Sequence, residues 1–202
     1  MCIRDSRNAG HLFDCLCTRA TLGELGACVS DCRNRQDIEG SLRFHLPNAA
    51  PDRVKDLFLG EQHASAIPSN FIVKRRDGLI AYQLATAIDD LDEGYTHVIR
   101  GVDLLESSLR QMMLHQTLGR LSPEYGHLPI VTDQSGNKLS KQTGAQAIDS
   151  DTPNANLRRA LAFLGQPTPP QDVDCVEDIL RLATVNWRRD SLNLKNCNFS
   201  TR

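Results

Sequence analysis

Apolar residues recur along this chain with two periods, and the switch between them outlines alternating strands and helices. Ser41-Leu42-Arg43-Phe44-His45-Leu46 alternates with period two and stops at Pro47, the pattern of a half-buried strand. Phe71-Ile72-Val73-Lys74 and Gly78-Leu79-Ile80-Ala81 read as two more strands joined through Arg75-Arg76-Asp77-Gly78, because Asp-Gly favours a hairpin turn. The period then lengthens. Leu84, Ala87, Ile88 and Leu91 share one face, predicting a helix from Tyr82 to about Asp90 with Tyr82 in its first turn. Thr96 to Gly101 is a short strand ending at Arg100, Asp103 to Leu118 a helix, and Leu128 to Thr132 the next strand. Strand, helix, strand is the repeating unit of a doubly wound α/β sheet.

The two ends read differently. His11 to Arg19 is a short strand ending in a Cys-x-Cys knuckle, followed by a helical stretch from Leu22 to about Cys28 and then Cys-x-x-x-Cys. Beyond Asp151-Thr152-Pro153, a helix start with proline in the first turn, Leu157, Leu161 and Leu164 repeat at helical spacing until Gly165 stops them. A linker over Pro167 to Pro170 precedes a second helix from about Val173 to Leu182, with Cys175 in its core, Trp187 anchoring a last turn and a frayed tail from Asn193. Met1 to Ser6 begins no pattern at all.

Composition narrows the class. The 202 residues are 40% hydrophobic and 24% charged with a net charge of −2, an ordinary globular balance without a global pull toward nucleic acid. Such a partner must be met locally, and Lys74-Arg75-Arg76, Arg158-Arg159 and Arg188-Arg189 are the basic clusters available, each also readable as a solvated face. No apolar run approaches the ~20 residues of a membrane span, and the seven cysteines lack a secretory pattern, so a reducing, cytoplasmic setting is expected. Four of them, Cys15, Cys17, Cys28 and Cys32, crowd into one short stretch. Thiolates bind zinc at about 2.3 Å, and a pair on a tight turn plus a second pair can close a tetrahedron, a structural site with no open position for catalysis.

Two further groups carry candidate chemistry. Arg100 ends a strand next to Gly101, where open α/β sheets bind ligands, so it either grips a carboxylate bidentately or is a surface arginine. Gly136-Asn137-Lys138-Leu139-Ser140-Lys141-Gln142 follows a polar turn and sets two lysines three apart, either solvated or placed on a mobile loop to stabilise a developing anion such as pyrophosphate.

In order, Lys74-Arg75-Arg76-Asp77-Gly78-Leu79-Ile80-Ala81-Tyr82-Gln83-Leu84-Ala85, Ile88-Asp89-Asp90, Val98-Ile99-Arg100-Gly101-Val102-Asp103-Leu104, Tyr125-Gly126-His127-Leu128-Pro129 and Lys138-Leu139-Ser140-Lys141-Gln142 resemble the glutamyl-queuosine tRNA(Asp) synthetases, short paralogues of the class I glutamyl-tRNA synthetases. The likeness runs from about His11 to Leu192. It implies a monomeric ligase that activates L-glutamate with ATP and Mg2+ and passes it to queuosine in the anticodon of tRNA(Asp). By the family pattern Tyr82 and Arg100 hold glutamate, and Lys141 of the KMSKS-like loop, helped by Lys138, binds the ATP phosphates. The family's zinc set is similar to Cys-x-Cys followed by Tyr-x-x-x-Cys, so Cys28 stands here in the tyrosine position. No HIGH-like motif precedes Cys15, which implies that the chain by itself does not form the adenylate.

The expected fold is α/β: a class I, Rossmann-like catalytic domain without its N-terminal half, a zinc-binding insertion and a small C-terminal helical subdomain. Its divisions are residues 1–8 as a remnant or artefactual start, 9–95 as the zinc-binding and acceptor-binding part, 96–150 as the second half of the catalytic domain, and 151–202 as the helical subdomain. Two alternatives stay open: a fragment of a glutamyl-tRNA synthetase charging tRNA(Glu), and a non-catalytic zinc-stabilised RNA-binding fragment.

Overall fold

The computed structural model describes residues 7, 9–23, 26–35, 38–46, 53–63, 70–133, 135–140 and 144–194. β1 (Leu12–Cys15), β2 (Ser41–His45) and β5 (Asn70–Lys74) form an antiparallel sheet in the order β1-β2-β5. Its core face carries Leu42, Phe44, Phe71 and Val73, and against it pack Ala87 of α1 (Tyr82–Asp92) and Met113 and Leu114 of α2 (Leu105–Thr117). Met113 and Ala87 are wholly buried. His115, also wholly buried, ties the two helices together: its Nε2 lies 3.0 Å from the Ala87 carbonyl and its Nδ1 3.1 Å from Ser122 Oγ.

β3 (Arg53–Asp56) and β4 (Gly60–His63) make an antiparallel hairpin, and Val54 joins Leu105, Leu109 and Tyr125 in a second apolar cluster. Asp56 shapes its turn by accepting from the backbone N–H groups of Phe58 and Leu59, both at 2.9 Å. The sequence reading has no strands here, because Lys55 and Glu61 break the apolar alternation. β6 (His97–Gly101) and β7 (Glu124–Leu128) form a third, two-stranded sheet. α3 (Pro153–Phe163) and α4 (Val176–Val185) pack on one another near the C-terminus.

Chain contacts define two units, Met1–Ile99 with Leu104–Gly126, and Arg100–Asp103 with His127–Arg202. In the second unit Arg158 of α3 donates to the carbonyls of Pro169, Pro170 (2.8 Å) and Val173 (2.6 Å), which makes this arginine a clasp on the linker rather than a solvated charge.

Several expectations are corrected. Gly78-Leu79-Ile80-Ala81 forms only a bridge between Ile80 and Lys74 beyond the turn, with Leu79 and Ile80 exposed and no apolar surface covering them. The strand expected from Leu128 to Thr132 instead occupies Glu124–Leu128, because Pro129 has no N–H to extend the ladder. The described residues of Leu22 to Cys28 form no α-helix: Gly26 takes φ +73° at the end of a tight turn, its N–H donating to Gly23 O at 3.1 Å. Cys175 is not a core residue; it is exposed at the N-cap of α4, its Sγ 2.7 Å from a Glu177 carboxylate oxygen. Leu192 is buried and the Asn193 N–H bonds the Leu164 carbonyl at 3.1 Å, so the segment thought frayed is docked up to that point. Gly165 is a helix stop as expected, with φ +71°.

Candidate functional site

The four cysteines converge. β1 ends at Cys15, which is 2% exposed, and a short 3-10 turn over Asp31–Asn34 carries Cys32, which is 3% exposed. The Sγ atoms of Cys15, Cys17, Cys28 and Cys32 all lie within 4.8 Å of one another. Cys17 Sγ is 3.7 Å from Cys28 Sγ and 3.8 Å from Cys32 Sγ. A tetrahedron with metal–sulfur bonds of about 2.3 Å has edges of about 3.8 Å, which the Cys17–Cys28 and Cys17–Cys32 separations match, so the donor set fits zinc. Cys28, in the position the family pattern gives to tyrosine, is thus one of the converging thiols.

Gly40 allows β2 to start close to this knuckle: a Cβ there would lie 2.3 Å from the Cys15 carbonyl oxygen. Burial pushes the Cys15 thiol up to about 12, whereas Ser30 Oγ, 3.4 Å away, draws Cys17 down to about 6. Burial also raises Cys28. A bound dication reverses the burial effect by holding the thiolate form, at the cost of releasing protons.

The cluster has an outer frame that the sequence reading missed. Asn70, 4% exposed at the start of β5, accepts the Cys28 N–H on its Oδ1 at 2.8 Å and donates from Nδ2 to the Cys28 carbonyl at 3.2 Å. Arg43, 3% exposed on β2, donates from Nε to the same Asn70 oxygen at 2.7 Å and from a terminal nitrogen to the Gly26 carbonyl. A zinc ion with four thiolates is formally dianionic, and a guanidinium buried in the hydrogen-bonded chain that holds Cys28 suits that charge. Arg43 and Asn70 stand at the alternate positions of their strands, off the face that carries Leu42, Phe44, Phe71 and Val73, so period-two patterning assigns them to solvent and nothing in the sequence marks them. Replacing Asn70 with alanine is expected to lower zinc affinity by about 10–100-fold while leaving one zinc per chain, measured by competition with a chromophoric chelator.

A second group lies in the other unit. Arg100, near the end of β6, directs Nε at 3.5 Å toward Nε2 of the wholly buried His127. Gly101 permits the tight packing beside it, since a Cβ would lie 2.5 Å from Asp103 Oδ1 and 3.0 Å from Ile130 Cγ2. Asp103 in turn pairs with Lys138 Nζ. Before Lys138 the chain is a braced turn rather than a free flap: Gly136 has φ +80°, and the Asp133 carboxylate accepts the N–H groups of Ser135 and Asn137, both at 2.9 Å. Those bonds, the Asn137 N–H foremost, hold the Asp133 carboxyl below the usual range. Thr132 and Lys138 form a β-bridge, and the Leu139 N–H bonds the Val131 carbonyl at 3.0 Å. Lys141 lies outside the described residues. Tyr82, in the first unit, is the first residue of α1 and half-exposed. In the sequence His127 and Asp103 are only members of motifs; their partners are what the fold adds.

Residues 26–198 match the family described as tRNA synthetases class I (E and Q), catalytic domain. A glutamyl-Q tRNA(Asp) synthetase of Methylococcus capsulatus is 42% identical over 186 residues, covering 88% of this chain and 61% of the relative. One from Vibrio parahaemolyticus is 38% identical over 191 residues, covering 91% of this chain and 63% of the relative. The chain therefore spans less than two thirds of the length of these curated relatives. In fold it is similar to a glutamate-tRNA synthetase of Elizabethkingia anophelis, with a TM-score of 0.55 at 21% identity over 80% of this chain and 37% of that one. A glutamate tRNA ligase of Elizabethkingia meningosepticum in complex with its amino acid superposes with a TM-score of 0.54 at 23% identity, over 79% of this chain and 36% of that one. With the family model matching most of the chain, this protein belongs to the class I tRNA synthetases of the E and Q group and carries part of their catalytic domain.

Proposed function

We propose that this chain serves the ATP-dependent activation of glutamate and its transfer to queuosine in the anticodon of tRNA(Asp), in the cytoplasm and as a monomer. The observation that carries this reading is the identity of 38–42% with glutamyl-Q tRNA(Asp) synthetases across 88–91% of the chain. Arg100, a rigid fork of donors beside His127, binds a glutamate carboxylate, and the Tyr82 hydroxyl bonds the amino acid. Lys138 and Lys141 neutralise the phosphates of ATP, which enters with Mg2+, so that charge developing on the leaving pyrophosphate is stabilised. Asp103 holds the Lys138 ammonium until the phosphates compete for it. Cys15, Cys17, Cys28 and Cys32 hold one structural zinc.

The test is ATP–pyrophosphate exchange by the complete gene product, followed by charging of purified tRNAs. Glutamate-dependent exchange with glutamate attached to queuosine-containing tRNA(Asp), and none to tRNA(Glu), is expected. Charging of tRNA(Glu) instead would replace the acceptor part of the proposal, and no exchange at all would overturn the enzyme reading.

A further inference from the structure

The motif Tyr125-Gly126-His127-Leu128-Pro129 brings a histidine to the end of β7, and its chemistry is not used by the binding of glutamate or ATP described above. The His127 ring is wholly buried, closed to solvent and to any substrate arriving from it. Arg100, next to the end of β6, donates its Nε–H to His127 Nε2 at 3.5 Å. A guanidinium has no lone pair to offer, so Nε2 is the acceptor and the ring proton sits on Nδ1. The ring is therefore neutral: a second proton would remove the acceptor and set two cations side by side.

An arginine side chain loses much rotamer freedom when it grips a ligand, and a hydrogen bond made beforehand removes part of that cost. Anchoring at Nε also has a direction. The bidentate edge of the guanidinium that does not use Nε is the terminal Nη1–Nη2 pair, so a carboxylate is met end-on. The backbone near both residues is tightly packed. A Cβ on Gly126 would lie 2.7 Å from Phe58 Cε2 and 2.8 Å from Ile99 Cδ1, and one on Gly101 would meet Asp103 Oδ1 at 2.5 Å. Little backbone shift is available to re-aim the arginine once its anchor is lost.

We infer that His127 is a positioning residue, a neutral Nδ1–H imidazole that holds the Arg100 guanidinium in the orientation that receives the glutamate carboxylate. The inference rests on the reading that Arg100 binds glutamate. It separates two tasks: Arg100 touches the substrate, and His127 acts only through Arg100.

Pyrophosphate exchange by the complete gene product tests this with two variants. His127→Leu keeps bulk and removes the acceptor, whereas His127→Gln puts an amide oxygen near the place of Nε2. The leucine variant is expected to raise KM for glutamate about 10–100-fold, with kcat and the KM for ATP within about twofold of wild type, and the glutamine variant to recover most of the loss. Ring 15N spectra of the 202-residue chain give a readout independent of activity, the His127 signals being identified by their loss in His127→Gln. Nε2 is expected to be unprotonated and to shift in Arg100→Ala. A protonated Nε2, or an unchanged KM for glutamate in His127→Leu, overturns the inference. So does a parallel rise in both KM values with an altered circular dichroism spectrum, which would make the ring a packing element only. An unchanged KM in Arg100→Ala overturns the glutamate reading itself, so the two failures are told apart by which variant is silent.

Discussion

Replacing Cys17 with serine is expected to abolish stoichiometric zinc binding and to loosen the segment from Cys15 to Cys32. Cys17 Sγ is in contact with both Cys28 and Cys32, at 3.7 and 3.8 Å, and its loss removes one vertex of the four-sulfur set and the three edges that meet there. The apolar cluster around the site is small: Phe13, Cys15 and Cys32, flanked by Cys17, Cys28 and Ile38. Most of its members are the ligands themselves, so little hydrophobic burial remains to hold the knuckle once the metal leaves. The loss in affinity should exceed the 10–100-fold expected for the outer partner Asn70. Metal analysis after gel filtration and limited proteolysis between β1 and β2 measure both effects. Wild-type protein should carry one zinc, lose it to a strong chelator, and lose it on acidification, because protons compete for the thiolates. A serine variant that keeps one tightly bound zinc would contradict the ligand set.

Substituting Arg100 with alanine in the complete gene product is expected to remove glutamate-dependent pyrophosphate exchange. A desolvated, hydrogen-bonded charge pair typically loses about 2–5 kcal/mol when one partner is truncated, which puts the fall in kcat/KM for glutamate at roughly 30-fold to several thousand-fold. Arg100→Lys should recover little, because a point charge cannot reproduce the guanidinium fork. The fold should survive both changes, since the neighbouring Asp103–Lys138 pair and the β-bridge from Thr132 to Lys138 do not use the Arg100 side chain. Unchanged kcat/KM in the alanine variant would remove Arg100 from the glutamate site. A loss accompanied by a changed circular dichroism spectrum would assign it a structural role instead.

Local chemistry explains which elements were readable. β2, α1 and α3 appear where strong periodicity coincided with a stop or start signal, Pro47, Tyr82 after an extended Ala81, and Pro153. β7 lies four residues before the apolar run from Leu128, because Tyr125 and His127 supply its buried face and proline ends it. The β3–β4 hairpin was invisible because a single buried apolar residue, Val54, carries its packing. Buried polar residues were likewise opaque: Arg43 and Asn70 stand where strand alternation places solvent-facing positions, and only their partners at Gly26 and Cys28 show them to be buried.

By itself the sequence determined the four-thiol spacing, the order of motifs that marks the family, and the residues Arg100 and Lys138 as places to look. Those are properties of short segments, set by residue type and local spacing. The tertiary structure decided that Cys28 completes the thiol cluster, that Asn70 grips its backbone from 42 positions away, that His127 stands behind Arg100, and that Asp103 meets Lys138. Such pairings depend on strand register and on which faces are buried together, and neither quantity is encoded in any one stretch of chain.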